Sequence, residues 1–267
     1  MSDSKFELAA EGFLELASEQ RLLILSNLNT KPYRVSMLAK KLDVTAQEVH
    51  RNLDRLAKSG FVIKGNDEHF HITTIGKILF SQMSLIVFVS KNKVFFKGHD
   101  INVMPLKYVK RLGVLEDCEH IKGVTKVLDK WKAIYKNSKE YIKDVISESP
   151  PGTDEAIINS IKKGAVYNHI ISKDLSEPQD RIDKLKKLGY YELIKKGKIK
   201  RKTADTIGVV LLINEKEAAV IFPTNDGEPD LRHMFYGKDL LFHEWCVDYF
   251  DYFWKKAKKQ SREHPKK

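Results

Sequence analysis

The feature that most constrains this chain is one tightly punctuated segment, residues 45–72. Thr45 stands three residues before Glu48, the pairing in which a hydroxyl and a carboxylate satisfy the free amides at a helix start. Val49, Leu53 and Leu56 follow at helical spacing, which gives the helix one apolar stripe and one polar face. Ser59 and Gly60 end it, because glycine takes left-handed backbone without steric cost. Two β-prone runs come next, residues 61–64 and 69–72, around the turn-rich Gly65-Asn66-Asp67-Glu68. A helix with a stripe to bury, followed at once by a hairpin, needs further helices to close its core.

Those helices are expected upstream. Residues 6–17 carry Phe6, Leu8, Ala9, Phe13, Leu14 and Leu16 at helical spacing, and Ser18 can cap a second helix over 21–28. Residues 29–33 form a turn around Pro32. Ser36 reads as the cap of a short helix over 37–42, and Asp43-Val44 as the tight turn before Thr45. Helix, helix, turn, capped helix and hairpin, in that order, are the layout of a winged helix-turn-helix. Its polar face presents Gln47, His50, Arg51, Asp54 and Arg55. Recognition helices read base edges mainly with their first turns. Gln47 therefore suits adenine, and Arg51 suits guanine or phosphate. Arg55 and Lys58 lie further along and suit phosphates. The helix starts at Ser36 and Thr45 offer backbone amides to phosphates, and Lys64 and His69 place charge on the wing.

The segments LASEQRLLILSNL and RVSMLAKKLDVTAQEVHRNLDRLAKSGFVIK resemble the ArsR-like winged-helix regulators. Some members of that family bind metal through cysteines on these helices. Here the first cysteine is Cys118, so the metal-sensing role does not carry over.

Beyond the hairpin, Thr73 or Thr74 can cap an apolar helix through Ile75, Ile78, Leu79, Met83, Ile86 and Val87 to about Phe95. The spacing predicts a linking helix within 76–104; winged-helix proteins often use a helix here for dimerisation, and the alternative is packing against the second domain. Pro105 opens a second domain, 105–258. There, strands are expected at 110–115, 165–172, 190–194, 198–202, 207–213 and 217–222, and helices at 124–147, 154–163, 181–188 and 240–258. That alternation describes an α/β domain. Residues 259–267 form a basic tail. The expected fold is thus α+β and α/β in two domains, with the winged helix on 1–75.

FFKGHDINVMP at the end of the linking stretch, with RLGVLEDCEHIKG and GVVLLINEKEAAVIFPTNDGEPDLRHMFYGKDLLFHEWC in the second domain, looks like the archaeal FilR-type regulators, a resemblance that runs from about residue 8 to 258. These join an ArsR-like winged helix to a C-terminal domain named for a methanogenesis regulatory protein. The resemblance implies transcription regulation by a homodimer on double-stranded DNA, with an unidentified small-molecule effector. Acidic and aromatic groups near the expected strand ends make Asp117, His120, Trp131, Glu228 and Asp230 the candidate effector contacts.

The 267-residue chain has a net charge of +11, which favours a polyanionic partner. Only +3 of it falls within 1–104, so the ordered helices argue for DNA more strongly than the charge does. Two cysteines, Cys118 and Cys246, suit a reducing cytoplasm. The start MSDSKFELAAEG lacks a signal-peptide layout. The apolar run 78–89 is shorter than the ~20 residues that span a bilayer, so no membrane is expected.

Catalytic signatures are not read. Cys118-Glu-His120 and His243-Glu-Trp-Cys246 hold four metal-capable side chains, but their spacing does not suit paired zinc ligands. His169-Ile-Ile-Ser-Lys173-Asp174 is similar to the phospholipase D His-x-Lys pattern, with its lysine misplaced. Phosphate-binding glycine loops and a nucleophile elbow are missing. The sequence reading is therefore a sequence-specific regulator without enzyme site, metal or cofactor. The alternative is a winged-helix protein-interaction module of the transcription machinery that binds DNA weakly and non-specifically.

Overall fold

The capping pair at Thr45 and the stop at Ser59 and Gly60 bound one helix as the sequence leads one to expect. In the structure, a computed structural model that describes residues 3–173 and 178–259, Glu48 N donates to Thr45 Oγ1 at 3.2 Å, and Thr45 N to Glu48 Oε2 at 3.0 Å. The described residues divide between Ile86 and Val87 into two compact units.

The first unit runs α1 (Asp3–Leu16), α2 (Glu19–Thr30), α3 (Val35–Leu42), α4 (Ala46–Lys58), β1 (Val62–Lys64), β2 (Phe70–Ile72) and α5 (Thr74–Phe80). Val49, Leu53 and Leu56 of α4 are buried with Ile24, Leu25, Leu28, Leu38, Phe61 and Phe70 in one core. The strands pair antiparallel, with Ile63 opposite His71. Gly60 takes φ +74°, as its stop position requires. Two expected caps differ. Ser36 lies inside α3, which starts at Val35 behind Arg34, and Ser18 stands at the start of α2 without a side-chain cap. Thr73 does cap α5, accepting Gly76 N at 3.0 Å. Gly76 then leaves no room for a methyl, which would collide with the Phe61 carbonyl.

The expected linking helix over 76–104 is not one helix. α5 stops at Phe80, α6 covers Met83–Lys91 and α7 covers Lys93–Phe96. The break falls at Ser81, whose hydroxyl donates to Ile78 O at 2.6 Å and so competes with the helical ladder. The stretch Thr74–Lys91 is by length and composition apolar enough to cross a membrane, yet it is divided by this turn. Ile75 and Ile78 are more than half exposed.

The second unit continues with α8 (Leu106–Val109), a 3-10 turn (Leu112–Leu115), β3 (Glu119–Lys122), α9 (Val124–Asn137), β4 (Tyr141–Ile146), α10 (Thr153–Lys162), β5 (Val166–Ser172), α11 (Gln179–Leu188), α12 (Tyr190–Lys195), β6 (Ile199–Ala204), β7 (Val210–Asn214), β8 (Ala218–Ile221), β9 (His233–Gly237), α13 (Leu240–Lys256) and β10 (Lys258–Lys259). One eight-stranded sheet has the order β10-β6-β5-β4-β7-β8-β9-β3. β4, β5 and β6 run parallel and the other pairs are antiparallel. Ile142 and Ile146 of β4 and Leu212 of β7 pack with α9, α10, α11 and α12. Strand residues alternate in direction, so α13, which is in contact with β7 and β8 but absent from that core, covers the opposite face.

Several expected elements change type. The expected strand at 110–115 is helical, because Leu112 and Leu115 bury together at the i, i+3 spacing that a 3-10 turn eclipses. The expected helix at 124–147 ends at Asn137 and gives way to β4, whose Tyr141-Ile-Lys-Asp-Val-Ile run alternates. Residues 190–194 are helical behind Gly189, at φ +81°. β3 and β9 lie where no strand is expected. Residue 259 belongs to β10 at the sheet edge, and residues 260–267 of the expected tail lie outside the described residues.

Asp144 of β4 is fully buried. Its carboxylate accepts from Tyr135 Oη of α9 at 2.5 Å and from Tyr167 Oη of β5 at 2.8 Å, and it contacts His169 Nδ1 at 2.5 Å. Burial and the adjacent carboxylate push both tyrosine hydroxyls well above their ordinary range. Asp144→Ala is expected to cost the second unit about 3–5 kcal/mol, since it strands three buried partners. Chemical denaturation followed by tryptophan fluorescence reads the loss. An unchanged midpoint would remove Asp144 from its central place.

Candidate nucleic-acid interface

Helix α4 positions the candidate reading surface. Its polar face along its whole length, with Val35 at the start of α3, lines an open concavity of about 880 Å³ formed by Val35, Ala46, Gln47, Glu48, His50, Arg51, Asp54, Arg55 and Lys58. Five of the nine residues expected on the DNA face, Gln47, His50, Arg51, Arg55 and Lys58, come together there. Thr45 sits at the rim as the cap, with its hydroxyl committed to Glu48. Lys64 and His69 stand on the β1–β2 hairpin and Ser36 on α3. Of the lining residues, Val35 and Ala46 are not singled out in the sequence, and Glu48 is read there only as the capping partner of Thr45. The junction of two helix starts exposes them, which the polar stripe of α4 alone does not indicate.

The charges on this face are mostly paired. Glu15 of α1 holds Arg55 through two hydrogen bonds, Nη2 to Oε1 at 2.7 Å and Nε to Oε2 at 3.2 Å. The guanidinium keeps the Glu15 carboxyl below its ordinary range. His50 pairs with Asp54 at 2.9 Å, Lys64 with Glu68, and His69 with Asp67 at 2.9 Å. Arg55 is therefore not the free phosphate contact that its position suggests. Its partner lies 40 residues away, with no local signal to mark it. Arg51 and Lys58 are exposed and make no ion pair among the described residues, although the charge of Arg51 helps to lower the Glu48 carboxyl after its hydrogen bonds to Thr45. Arg34 adds a link to the hairpin, donating to Asp67 O at 3.2 Å.

The five candidate effector contacts do not form one pocket. Trp131 is buried in the core of the second unit with Val127 and Ile134, its helical neighbours, and so has a packing role. Asp117 and Glu228 stand exposed on separate turns. His120 and Asp230 do converge, through two histidines that the sequence reading passed over. His120 Nε2 and His233 Nδ1 share a hydrogen bond of 3.0 Å. His99 donates from Nδ1 to Phe95 O at 2.6 Å, and its Nε2 faces Asp230 Oδ2 at 3.2 Å. Phe95 stacks on His99, and Phe235 on His120. Arg232 Nε also donates to Asp230 at 2.9 Å. The pairing of β3 with β9 brings His120 beside His233, and the bridge of His99 to Thr224 holds His99 near Asp230.

The four metal-capable side chains of the two Cys-His segments do not assemble. His243 Nε2 donates to Asn214 O at 2.7 Å, while His120 faces His233. Burial pushes the Cys118 thiol up to about 12 and raises the Cys246 thiol well above its ordinary range. Among the described residues no group of three or more His, Cys, Asp or Glu could hold a metal ion. His169 belongs to the buried Asp144 network, and Asp174 lies outside the described residues.

Residues 12–89 match the model of a family described as the HVO_A0261 N-terminal domain. No curated protein matches the chain. Among solved structures the chain is similar to TrmBL2, an archaeal chromatin protein whose structure is described as showing a novel mode of DNA binding. The two share 17% identity over 97% of this chain and 100% of that one, with a TM-score of 0.43. It is also similar to Nuc from Salmonella typhimurium, a phospholipase D family member, at 11% identity over 55% of this chain and 100% of that one, TM-score 0.40. NucT from Helicobacter pylori matches at 11% identity over 53% and 100%, TM-score 0.39.

The histidine group fixes a pH dependence. Burial first, then the charges of Lys122, His233 and His99, together lower the His120 pKa from 6.5 to about 4; burial also lowers that of His233. The unfolded chain therefore binds more protons than the folded one between these values. Stability is fully present above pH 6.5 and falls as the pH drops towards about 4. Thermal unfolding across that window should show a slope in wild type that His120→Phe reduces. Equal slopes would detach the effect from His120.

Proposed function

We propose that the first unit is a winged helix-turn-helix that reads double-stranded DNA with the start of α4, in a cytoplasmic transcription regulator of the FilR type. The observation that carries this is the exposed concavity at α4. There Gln47 and Arg51 stand without ion pairs on a helix whose start is fixed by the Thr45–Glu48 pair. A rigid helix start with a donor–acceptor amide and a free guanidinium is what base-edge reading needs. β1 and β2 then form the wing, and the second unit reports an effector.

The functional form is a homodimer. Phe6, Phe13 and Leu14 of α1 and Ile75 and Ile78 of α5 are each more than half exposed. Apolar surface of this kind in one small unit suits a second copy, and a two-fold dimer matches a palindromic operator.

A second reading draws on the paired charges. With Arg55, Lys64, His50 and His69 held by carboxylates, Arg51 and Lys58 are the unpaired cations among the named candidates. A face so nearly neutral also suits a protein partner, with weak and non-specific DNA binding.

Selection from a library of genomic DNA fragments at two salt concentrations separates these readings. Enrichment of a palindrome supports the dimeric regulator. Uniform binding that vanishes with salt supports the interaction module. Within the same assay Arg51→Ala should cost about 1–3 kcal/mol of discrimination at one base position. Glu15→Gln should release Arg55 and steepen the salt dependence by about one phosphate contact. Wild-type behaviour in both variants would take the reading surface away from α4.

A further inference from the structure

A second concavity, of about 580 Å³, lies on the second unit and belongs to none of the sites above. It is lined by Lys136, Lys139, Lys163, Lys216 and Lys238 with Asn137, Ser138 and Glu217. All five lysines are exposed, and among the described residues none of their ammonium groups makes an ion pair or hydrogen bond, Lys238 acting on Glu217 only through the field. Four separate parts of the chain deliver them: the end of α9 with the turn after it, the end of α10, the β7–β8 turn and the residue after β9. Lys136 and Lys163 complement helix C-termini, which by itself would explain cations there. Lys139, Lys216 and Lys238 stand on turns, where that explanation does not apply.

The floor is rigid and polar. Glu217 is buried; it accepts from Asn137 Nδ2 at 3.1 Å, from Asn214 Nδ2 at 3.3 Å and from Tyr236 Oη. Its one negative charge is thus already satisfied by three donors. Asn214 accepts the amides of Lys216 and Glu217, and Ser138 Oγ donates to Ile134 O at 2.9 Å, so the turns that carry the lysines are fixed from below. Glu215 at the rim is committed to the amides of Lys139 and Glu140. The lining keeps a net charge of +4. Five cations that line one concavity with a single carboxylate among them repel each other, and a bound polyanion reduces that repulsion.

We infer that this concavity binds a small anion carrying two or more phosphate groups. Its size is that of a small-molecule site. Its lining has no aromatic ring for a base, so the phosphates themselves are what is recognised. Lysine suits such a ligand because it meets phosphate as a point charge. The backbone of a nucleic acid offers the same groups, spaced along a strand instead of clustered. The inference concerns the second unit alone and stands whether or not α4 reads DNA.

The test uses the full chain and sodium tripolyphosphate as the probe, followed by titration calorimetry at low salt and again at physiological salt. A short duplex is titrated in parallel. The expected result is saturable one-to-one binding of tripolyphosphate that Lys139→Gln/Lys238→Gln weakens by about tenfold or more, the scale of lost charge-assisted contacts. Duplex affinity should not change. Lys163→Gln/Lys216→Gln should repeat the loss, and serves as the deciding pair should the first unsettle the fold. Absence of saturable binding to wild type overturns the inference, as does wild-type affinity in the variants. A loss of duplex binding in either double variant also overturns it, by assigning the lysines to backbone phosphates. Failure of the DNA selection would leave the tripolyphosphate titration untouched, so the two proposals fail separately.

Discussion

A carboxylate with no access to water stands on an inner strand of the eight-stranded sheet. Burying a charge is costly unless donors replace the lost water. Asp144 meets that condition with two tyrosine hydroxyls and an imidazole, drawn from α9 and β5. The arrangement fixes more than one side chain. A slip of β4 by one residue would turn Asp144 towards the face covered by α13, among Trp245, Tyr249 and Phe250, where none of these donors stands. The register of β4, the seating of α9 and the parallel pairing with β5 are thus specified together. Both concavities need rigid frames, and the lysine-lined one hangs from the ends of this same α9–β4 connection.

The first unit is specified by local chemistry, and so it was largely legible. The Thr45–Glu48 pair, the buried stripe Val49, Leu53 and Leu56, and Gly60 at φ +74° follow from rules that act within one turn of helix. The second unit is specified by contacts between distant strands. Tyr141-Ile-Lys-Asp-Val-Ile reads equally well as the end of a helix, until β5 and β7 pair on either side of it. Leu112 and Leu115 read as a strand until both are buried one 3-10 turn apart. Ser81 ends α5 by a side-chain hydrogen bond that apolar periodicity does not register.

Candidate sites divide in the same way. The polar face of α4 could be named from the sequence because a helix displays its own periodicity. Which of its charges are free could not, because Glu15 reaches Arg55 across 40 residues. His120 and Asp230 were singled out as separate acid–base groups near strand ends. The β3–β9 pairing brings His120 to His233, and the bridge of His99 to Thr224 brings His99 to the segment that carries Asp230. Trp131 carried the same signal as a ligand contact and a core residue, and its place between Val127 and Ile134 on α9 decides for the core.

The seam between the hairpin and α5 has a mechanical meaning. Thr73 gives its amide to Phe61 O at 2.9 Å and its hydroxyl to Gly60 O at 2.7 Å, and at Gly76 the helix backbone rests on the Phe61 carbonyl with no side chain between. A joint packed backbone to backbone has no play, since there is no rotamer to flip and no methylene to compress. Within the first unit, α5 and β1 therefore turn as one lever. Whatever rotates the exit helix must carry the strand with it or tear the joint.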